Sequence, residues 1–205
     1  RDDMERIYCL VIGYVFGLVL FAEIIARARL GRSARTIGSC NPGTANITRQ
    51  MGKAWGLLVL AGDLLKTAAA CWLCAALFPE LGRLVYLWAG LGATLGHNFP
   101  VWAGFRGGKG VATTCAFLFL FSPLWCGSCI VLGGVVVLAT GYLPVAAVVI
   151  TTAALLPAWH FGALEGFALV LAADVLMIQR HHRGIARALR GEERRALRGK
   201  TAREK

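Results

Sequence analysis

The chain has 205 residues, of which 57% are hydrophobic, yet its formal charge is +11. High hydropathy beside strong basicity fits a polytopic membrane protein better than a nucleic-acid binder, whose charges would be scattered along amphipathic elements. Here the 22 Lys and Arg residues are clustered, and the stretches between the clusters are almost uncharged.

A membrane-crossing helix needs about 20 mainly apolar residues, somewhat fewer where its ends snorkel. Seven segments qualify as predicted spans. Ile7–Ala26 comes first; no small-residue cleavage site followed by a soluble domain marks it as a removed signal peptide. Ala54–Phe78 carries Asp63 and Lys66 inside it. Leu81–Gly96, the short Gly110–Ser122, Leu124–Thr140 and Leu143–Trp159 follow, and Gly162–Ile178 closes the series with Glu165 and Asp174. Pro79, Pro123, Pro144 and Pro157 fall at or near the boundaries, where a helix breaker belongs.

The basic residues orient the spans. Six lie between residues 27 and 53 (Arg27, Arg29, Arg32, Arg35, Arg49 and Lys53), Arg106 and Lys109 form a pair, and ten crowd residues 180–205. Seven spans put all three groups on one side, which the positive-inside rule makes cytoplasmic. The expected fold is therefore an all-α integral membrane protein with seven transmembrane helices, its N-terminus outside and its C-terminus cytoplasmic. Residues 1–180 are expected to form the membrane domain, with cytoplasmic loops at 27–53 and 97–109. Residues 181–205 form a basic tail suited to lying on anionic lipid, and no nucleic acid is expected as a partner.

Seven cysteines include two C-x-x-C pairs, Cys71/Cys74 and Cys126/Cys129. Both pairs sit inside apolar runs, where Cys acts as a small hydrophobe, so neither a metal nor a cofactor is expected.

Three polar segments lie on the cytoplasmic side. The first, GSCNPGTANITRQMGKAWG (38–56), offers Ser39, Asn41, Thr44, Asn46 and Arg49 among glycines that let a ligand approach the backbone. It is longer and more polar than a plain turn requires. The second, GHNFPVWAGFRGGKGVAT (96–113), runs Gly107-Gly108-Lys109-Gly110 directly into a predicted helix, with His97 and Arg106 nearby. Backbone N–H groups at a helix start beside a lysine make an anion site. Ala103 and Gly110 break the Walker A pattern, so phosphate binding without a nucleotide fold is expected. The third, QRHHRGIARALRGEER (179–194), carries His181 and His182 among arginines that favour the neutral, basic imidazole.

Inside the second span Asp63 and Lys66 stand three apart, share a face and can pair. Either would cost about 2.5–3.5 kcal/mol facing lipid, so both are expected to turn inward and brace the site. Asp174 is a similar interior candidate. His160 and Glu165 have the spacing of a His-x4-acid acyltransferase motif but fall on the outer side, away from the polar loops, and are set aside.

These motifs resemble those of the bacterial acyl-phosphate:glycerol-3-phosphate acyltransferases, the PlsY family, over nearly the whole chain. The family patterns are close to GSGNPGATN with an Arg three residues on, GHxFPxxxxFKGGKGVAT and RHxxNIxRLxxGxE. The resemblance implies transfer of an acyl group from acyl phosphate to the 1-hydroxyl of sn-glycerol 3-phosphate, at the cytoplasmic face of the bacterial inner membrane. The products are lysophosphatidic acid, the first intermediate of phospholipid synthesis, and phosphate. It implies Ser39, Arg49 and His181 as catalytic residues. Asn41, Asn46, His97, Arg106, Gly107, Gly108, Lys109 and Gly110 would bind substrate, and Asp63, Lys66 and Glu193 would support the site. His181 or the substrate's own phosphate would serve as base. The sequence departs from the pattern at Cys40, where relatives have Gly, at Thr44-Ala45, which inverts Ala-Thr, at Arg106, which stands for Lys, at Gly184, which replaces Asn, and at Pro144, where many relatives carry Ser. Two rival readings share the motifs: a diverged homologue that has lost catalysis, as Gly184 would suggest, and a small transporter of organic phosphates.

Overall fold

The computed structural model describes residues 2–196; the remainder of the basic tail lies outside the described residues. Among the described residues there are nine α-helices, three 3-10 turns and no strand. The chain divides into two compact units after Phe121.

The first unit holds α1 (Asp2–Gly17), α2 (Phe21–Leu30), α3 (Thr44–Met51), α4 (Lys53–Leu77), α5 (Leu84–Asn98) and α6 (Val111–Phe121). Its backbone contact is between α1 and α5, where glycines remove the side chains from the crossing. A β-carbon at Gly13 would stand 2.0 Å from the Ala89 carbonyl oxygen, and one at Gly17 2.2 Å from that of Ala93. The relationship is reciprocal: Gly92 lies against the Leu10 carbonyl and Gly96 against that of Tyr14. Each helix thus contributes two glycines four residues apart, the small-x-x-x-small device that lets helices in lipid approach backbone to backbone.

Helix α4 turns Val59, Gly62, Asp63, Lys66, Ala70 and Cys74 inward and leaves Leu57, Leu65 and Trp72 exposed. This one-sided pattern puts Asp63 and Lys66 in the interior, while Lys53 at the start of the helix is exposed. The first expected span is not one continuous helix. The chain leaves helical geometry at 18–20 between α1 and α2, although no proline stands there. The carbonyls released by the break are met from elsewhere: Lys66 Nζ donates to Val19 O (2.6 Å) and weakly to Gly17 O (3.4 Å), and Trp102 Nε1 donates to Leu18 O (2.9 Å). Partnered carbonyls make such a break tolerable at membrane depth.

The second unit holds α7 (Pro123–Thr140), α8 (Leu143–Ala153) and α9 (Leu155–Leu189). Pro123 and Pro144 sit in the first turns of α7 and α8, where no N–H is needed. The expected sixth span, Leu143–Trp159, is divided: α8 ends at Ala153, and Leu155–Trp159 belong to α9. Helix α9 is itself interrupted at Ala163 (φ 50, ψ −149), so His160 and Glu165 share no regular helical face. His160 is exposed and packs its ring edge-on against Phe161.

Among the described residues, four segments are long and apolar enough to cross a membrane: Asp3–Leu30, Lys53–Leu77, Pro123–Thr140 and Leu155–Leu189.

Candidate active site

The first polar loop is built on a buried acid. Glu23, 3% exposed, accepts from Arg27 Nε (2.7 Å), Ser33 Oγ (2.9 Å) and the Ala34 N–H (3.0 Å), which draws the chain after α2 back over its own helix. Beneath the loop, Ile25, Ala26, Ala34, Ile37, Ile47 and Val59 form a small apolar core. Asn46 then fixes the motif itself. Its Nδ2 donates to the carbonyls of Ala34 and Ile37 (both 3.1 Å), and its Oδ1 accepts from the Ser39 N–H (3.0 Å). Asn46 is buried and its amide is fully engaged, whereas Ser39, Cys40 and Arg49 are exposed and Asn41 is half-buried.

Two residues of this loop adopt the left-handed conformation. Gly38 (φ 54) has no room for a side chain, since a β-carbon would stand 2.3 Å from Asn46 Oδ1. Cys40 (φ 57) holds the same conformation with a side chain, which explains why glycine suits that position and places the thiol in solvent rather than against the loop.

The second polar loop folds back onto the end of α5. The N–H groups of Gly107 and Gly108 donate to the carbonyls of Asn98 (3.0 Å) and His97 (2.9 Å). Both glycines are sterically required there: a β-carbon would stand 2.0 Å from the His97 carbonyl oxygen at 107 and 2.0 Å from His97 Nε2 at 108. Gly110 (φ 80) ends the loop, and its carbonyl accepts from Thr114 N and Thr113 Oγ1 as α6 begins. The N–H groups of the first turn of α6 therefore open toward the glycines, with Lys109 half-buried and Arg106 exposed beside them.

Two side chains tie these loops to each other and to the interior. Arg35 of the first loop donates to the Ala103 carbonyl of the second (3.2 Å), stacks over Trp102 and lies 3.6 Å from Glu23. Below, Lys66 Nζ stands 2.7 Å from Asp63 Oδ1 and 3.0 Å from His97 Nδ1. The predicted Asp63–Lys66 pair thus exists, and it reaches through His97 to the glycine loop. His97 is buried, with its Nδ1 on Lys66 and its Nε2 under Gly108. Glu23, Arg35, Trp102 and Asn98 belong to this assembly and were not singled out in the sequence. Asn98 is 1% exposed, and neither its Nδ2 nor its Oδ1 has a hydrogen-bond partner among the described residues, although its amide touches the Gly110 position.

In the second unit, His181 is buried on α9, with Nδ1 3.0 Å from the Met177 carbonyl. A carbonyl only accepts, so Nδ1 carries a proton toward it, and in a neutral ring Nε2 would be the basic atom. His182 is exposed. Glu193 accepts from Arg187 Nε (2.6 Å), which turns the chain after α9, and the Ala196 N–H then donates to the Gly141 carbonyl (2.8 Å). Arg195 lies over Tyr142, so the described part of the tail is fastened to the turn between α7 and α8. Asp174 accepts from the hydroxyls of Thr151 and Thr152.

The polar loops, the glycine-backed helix start and the charged pair within apolar helices define a helical membrane protein with a glycine-lined polar surface. The chain matches the model of the glycerol-3-phosphate acyltransferases over residues 7–191. It is 32% identical to the glycerol-3-phosphate acyltransferase of Aquifex aeolicus over 94% of this chain and 100% of that protein. A match at 45% identity to glycerol-3-phosphate acyltransferase 1 of Lactobacillus johnsonii covers 58% of this chain and 57% of the relative, so the chain spans little over half of that protein's length. In structure it is similar to the crystal structure of PlsY (YgiH), an integral membrane glycerol 3-phosphate acyltransferase, in its glycerol 3-phosphate form; the TM-score is 0.83 at 31% identity, covering 93% of this chain and 94% of that one. The chain belongs to the glycerol-3-phosphate acyltransferase family, and it is a multi-pass membrane protein.

Proposed function

We propose that this chain transfers an acyl group from acyl phosphate to the 1-hydroxyl of sn-glycerol 3-phosphate, forming lysophosphatidic acid and phosphate. The observation that carries the reading is the Gly107–Gly110 loop, packed on His97 and Asn98 and opening α6 beside Lys109. It is a compact, backbone-lined place for one phosphate.

Acyl phosphate is already activated, because phosphate is a good leaving group. No acyl-enzyme is needed. The tasks are to hold two phosphates, align the hydroxyl with the carbonyl carbon and remove one proton. Alignment alone supplies several kcal/mol of the barrier, up to ~7–11. Lys109, Arg106 and the N–H groups at the start of α6 hold the phosphate of glycerol 3-phosphate, while Gly107 and Gly108, whose N–H groups are bonded to Asn98 and His97, shape the loop around it. Arg49, exposed and without an acidic partner among the described residues, takes the second phosphate and stabilises the developing oxyanion. Ser39 and Asn41 orient the phosphate or the carbonyl.

Asn46 and His97, whose burial and bonding are described above, serve by holding the two loops, as do Asp63 and Lys66. Glu193 closes the third motif through Arg187. The hydroxyl proton goes to His181 Nε2 or to the substrate's own phosphate, whose second pKa is about 6. The hydroxyl oxygen forms a bond to the carbonyl carbon, the acyl–phosphate bond breaks, and inorganic phosphate leaves.

The clustered basic residues support a topology of seven spans with loops 27–53 and 97–109 facing the cytoplasm, a membrane domain over 1–180 and a cytoplasmic tail over 181–205. The membrane is then the bacterial inner membrane, and both substrates and the surrounding lipid are the partners. The test is to give detergent-solubilised protein labelled glycerol 3-phosphate with either acyl phosphate or an acyl thioester. Lysophosphatidic acid should form with acyl phosphate; formation only with the thioester, or with neither, would overturn the donor assignment.

A further inference from the structure

The buried residues Asp174, Met177, His181, Gly184 and Ala188 follow one another at intervals of three or four along α9 and form a single stripe. Two contacts fasten that stripe to α8. At one, Thr151 and Thr152 donate to Asp174. At the other, ten residues further along α9, Gly184 lies against the ring of Pro144. A β-carbon at 184 would stand 2.7 Å from Pro144 Cγ and 3.0 Å from its Cβ. His181 sits between the two contacts, one turn before Gly184.

A glycine in the interior of a helix is a destabilising choice unless something occupies the space of its missing side chain. Here Pro144 does. Its ring can only switch pucker, which shifts Cγ but leaves Cβ in place, and it is held in the first turn of α8. A side chain at 184 therefore has to displace one helix from the other, and the displacement acts within one turn of His181. The departures at Pro144 and Gly184 touch each other, so they are one steric arrangement and not two separate losses.

We propose that Pro144 and Gly184 form an interlocked positioning pair that sets His181 against α8, so that the polar residue at 184 is admitted only when position 144 is reduced. The proposal rests on the reading of His181 as a site residue in acyl transfer.

The test compares wild type, Gly184→Asn, Pro144→Ser and the double variant, assayed with acyl phosphate and labelled glycerol 3-phosphate per unit of folded, inserted protein. Gly184→Asn should lower kcat by more than about tenfold while the KM for glycerol 3-phosphate changes by less than about threefold. The double variant should recover kcat to within about threefold of wild type, the non-additivity expected of residues in contact. Wild-type kcat in Gly184→Asn overturns the pair, and so does a double variant no better than Gly184→Asn. If Gly184→Asn fails to insert, the double variant must both insert and turn over. A wild-type protein that makes no lysophosphatidic acid overturns the functional reading instead, which keeps the two failures distinct.

Discussion

Lys66 donates to His97: its ammonium nitrogen lies 3.0 Å from His97 Nδ1. Three close acceptors surround that nitrogen, namely Asp63 Oδ1, Val19 O and His97 Nδ1, and an ammonium has three protons to give. Where the ammonium donates to Nδ1, the neutral His97 ring carries its proton on Nε2 beneath the glycine loop, and Asp63 Oδ1 lies 3.5 Å from the same Nδ1. One buried lysine thereby closes the break between α1 and α2, neutralises Asp63 and supports the proposed phosphate loop.

Replacing Lys66 with Met should be severe. It leaves Asp63 buried with only His97 Nδ1, 3.5 Å away, beside its carboxylate, and breaking such a buried pair costs about 3–5 kcal/mol. Thermal unfolding in detergent should show a large drop in Tm, and any folded fraction should have a raised KM for glycerol 3-phosphate. An unchanged Tm would remove the triad from the account.

The α1–α5 crossing should tolerate no side chains. Gly96→Ala puts a methyl group 2.1 Å from the Tyr14 carbonyl oxygen, a backbone atom that no rotamer change can move. Gly134→Ala on α7 meets nothing within 4 Å and relieves a helix interior of glycine. Yield and Tm should fall sharply for the first variant and hold or rise for the second. Equal behaviour of the two would mean that backbone contact does not hold α1 to α5.

Cys40 should be replaceable. Its left-handed backbone costs a non-glycine residue roughly 1–2 kcal/mol, and its side chain is exposed. Cys40→Gly should raise Tm and keep full activity, and thiol reagents should label Cys40 before the buried cysteines. A loss of activity in Cys40→Gly would give the thiol a role in the site.

His181→Ala separates the two candidate bases. If Nε2 takes the proton, turnover should fall by about 10²–10⁴-fold. If the substrate's phosphate takes it, more than a few percent of activity should remain.

The apolar segments, their clustered charges and the polar loops were legible in the sequence because each is a local pattern. The Asp63–Lys66 pair was legible for the same reason, since helical spacing brings the two residues together. The break at 18–20 was not, because its cause is non-local: Lys66 and Trp102 arrive from far along the chain to satisfy its carbonyls. Asn46 and His97 read as ligand groups by residue type, and only their burial and bonding turned them toward loop support. Asn98 carried no signal beyond its place in the second motif. The division of the expected sixth span at Ala154 falls three residues before Pro157, which has no N–H to continue the α8 ladder, and the interruption at Ala163 directly follows Gly162; hydropathy alone runs through both.

The most direct measurement is lysophosphatidic acid formation by purified wild type and Lys109→Ala, side by side, from acyl phosphate and labelled glycerol 3-phosphate. The account predicts product from wild type and none from Lys109→Ala, with both proteins inserted to the same level. Product at the normal rate from Lys109→Ala would contradict it.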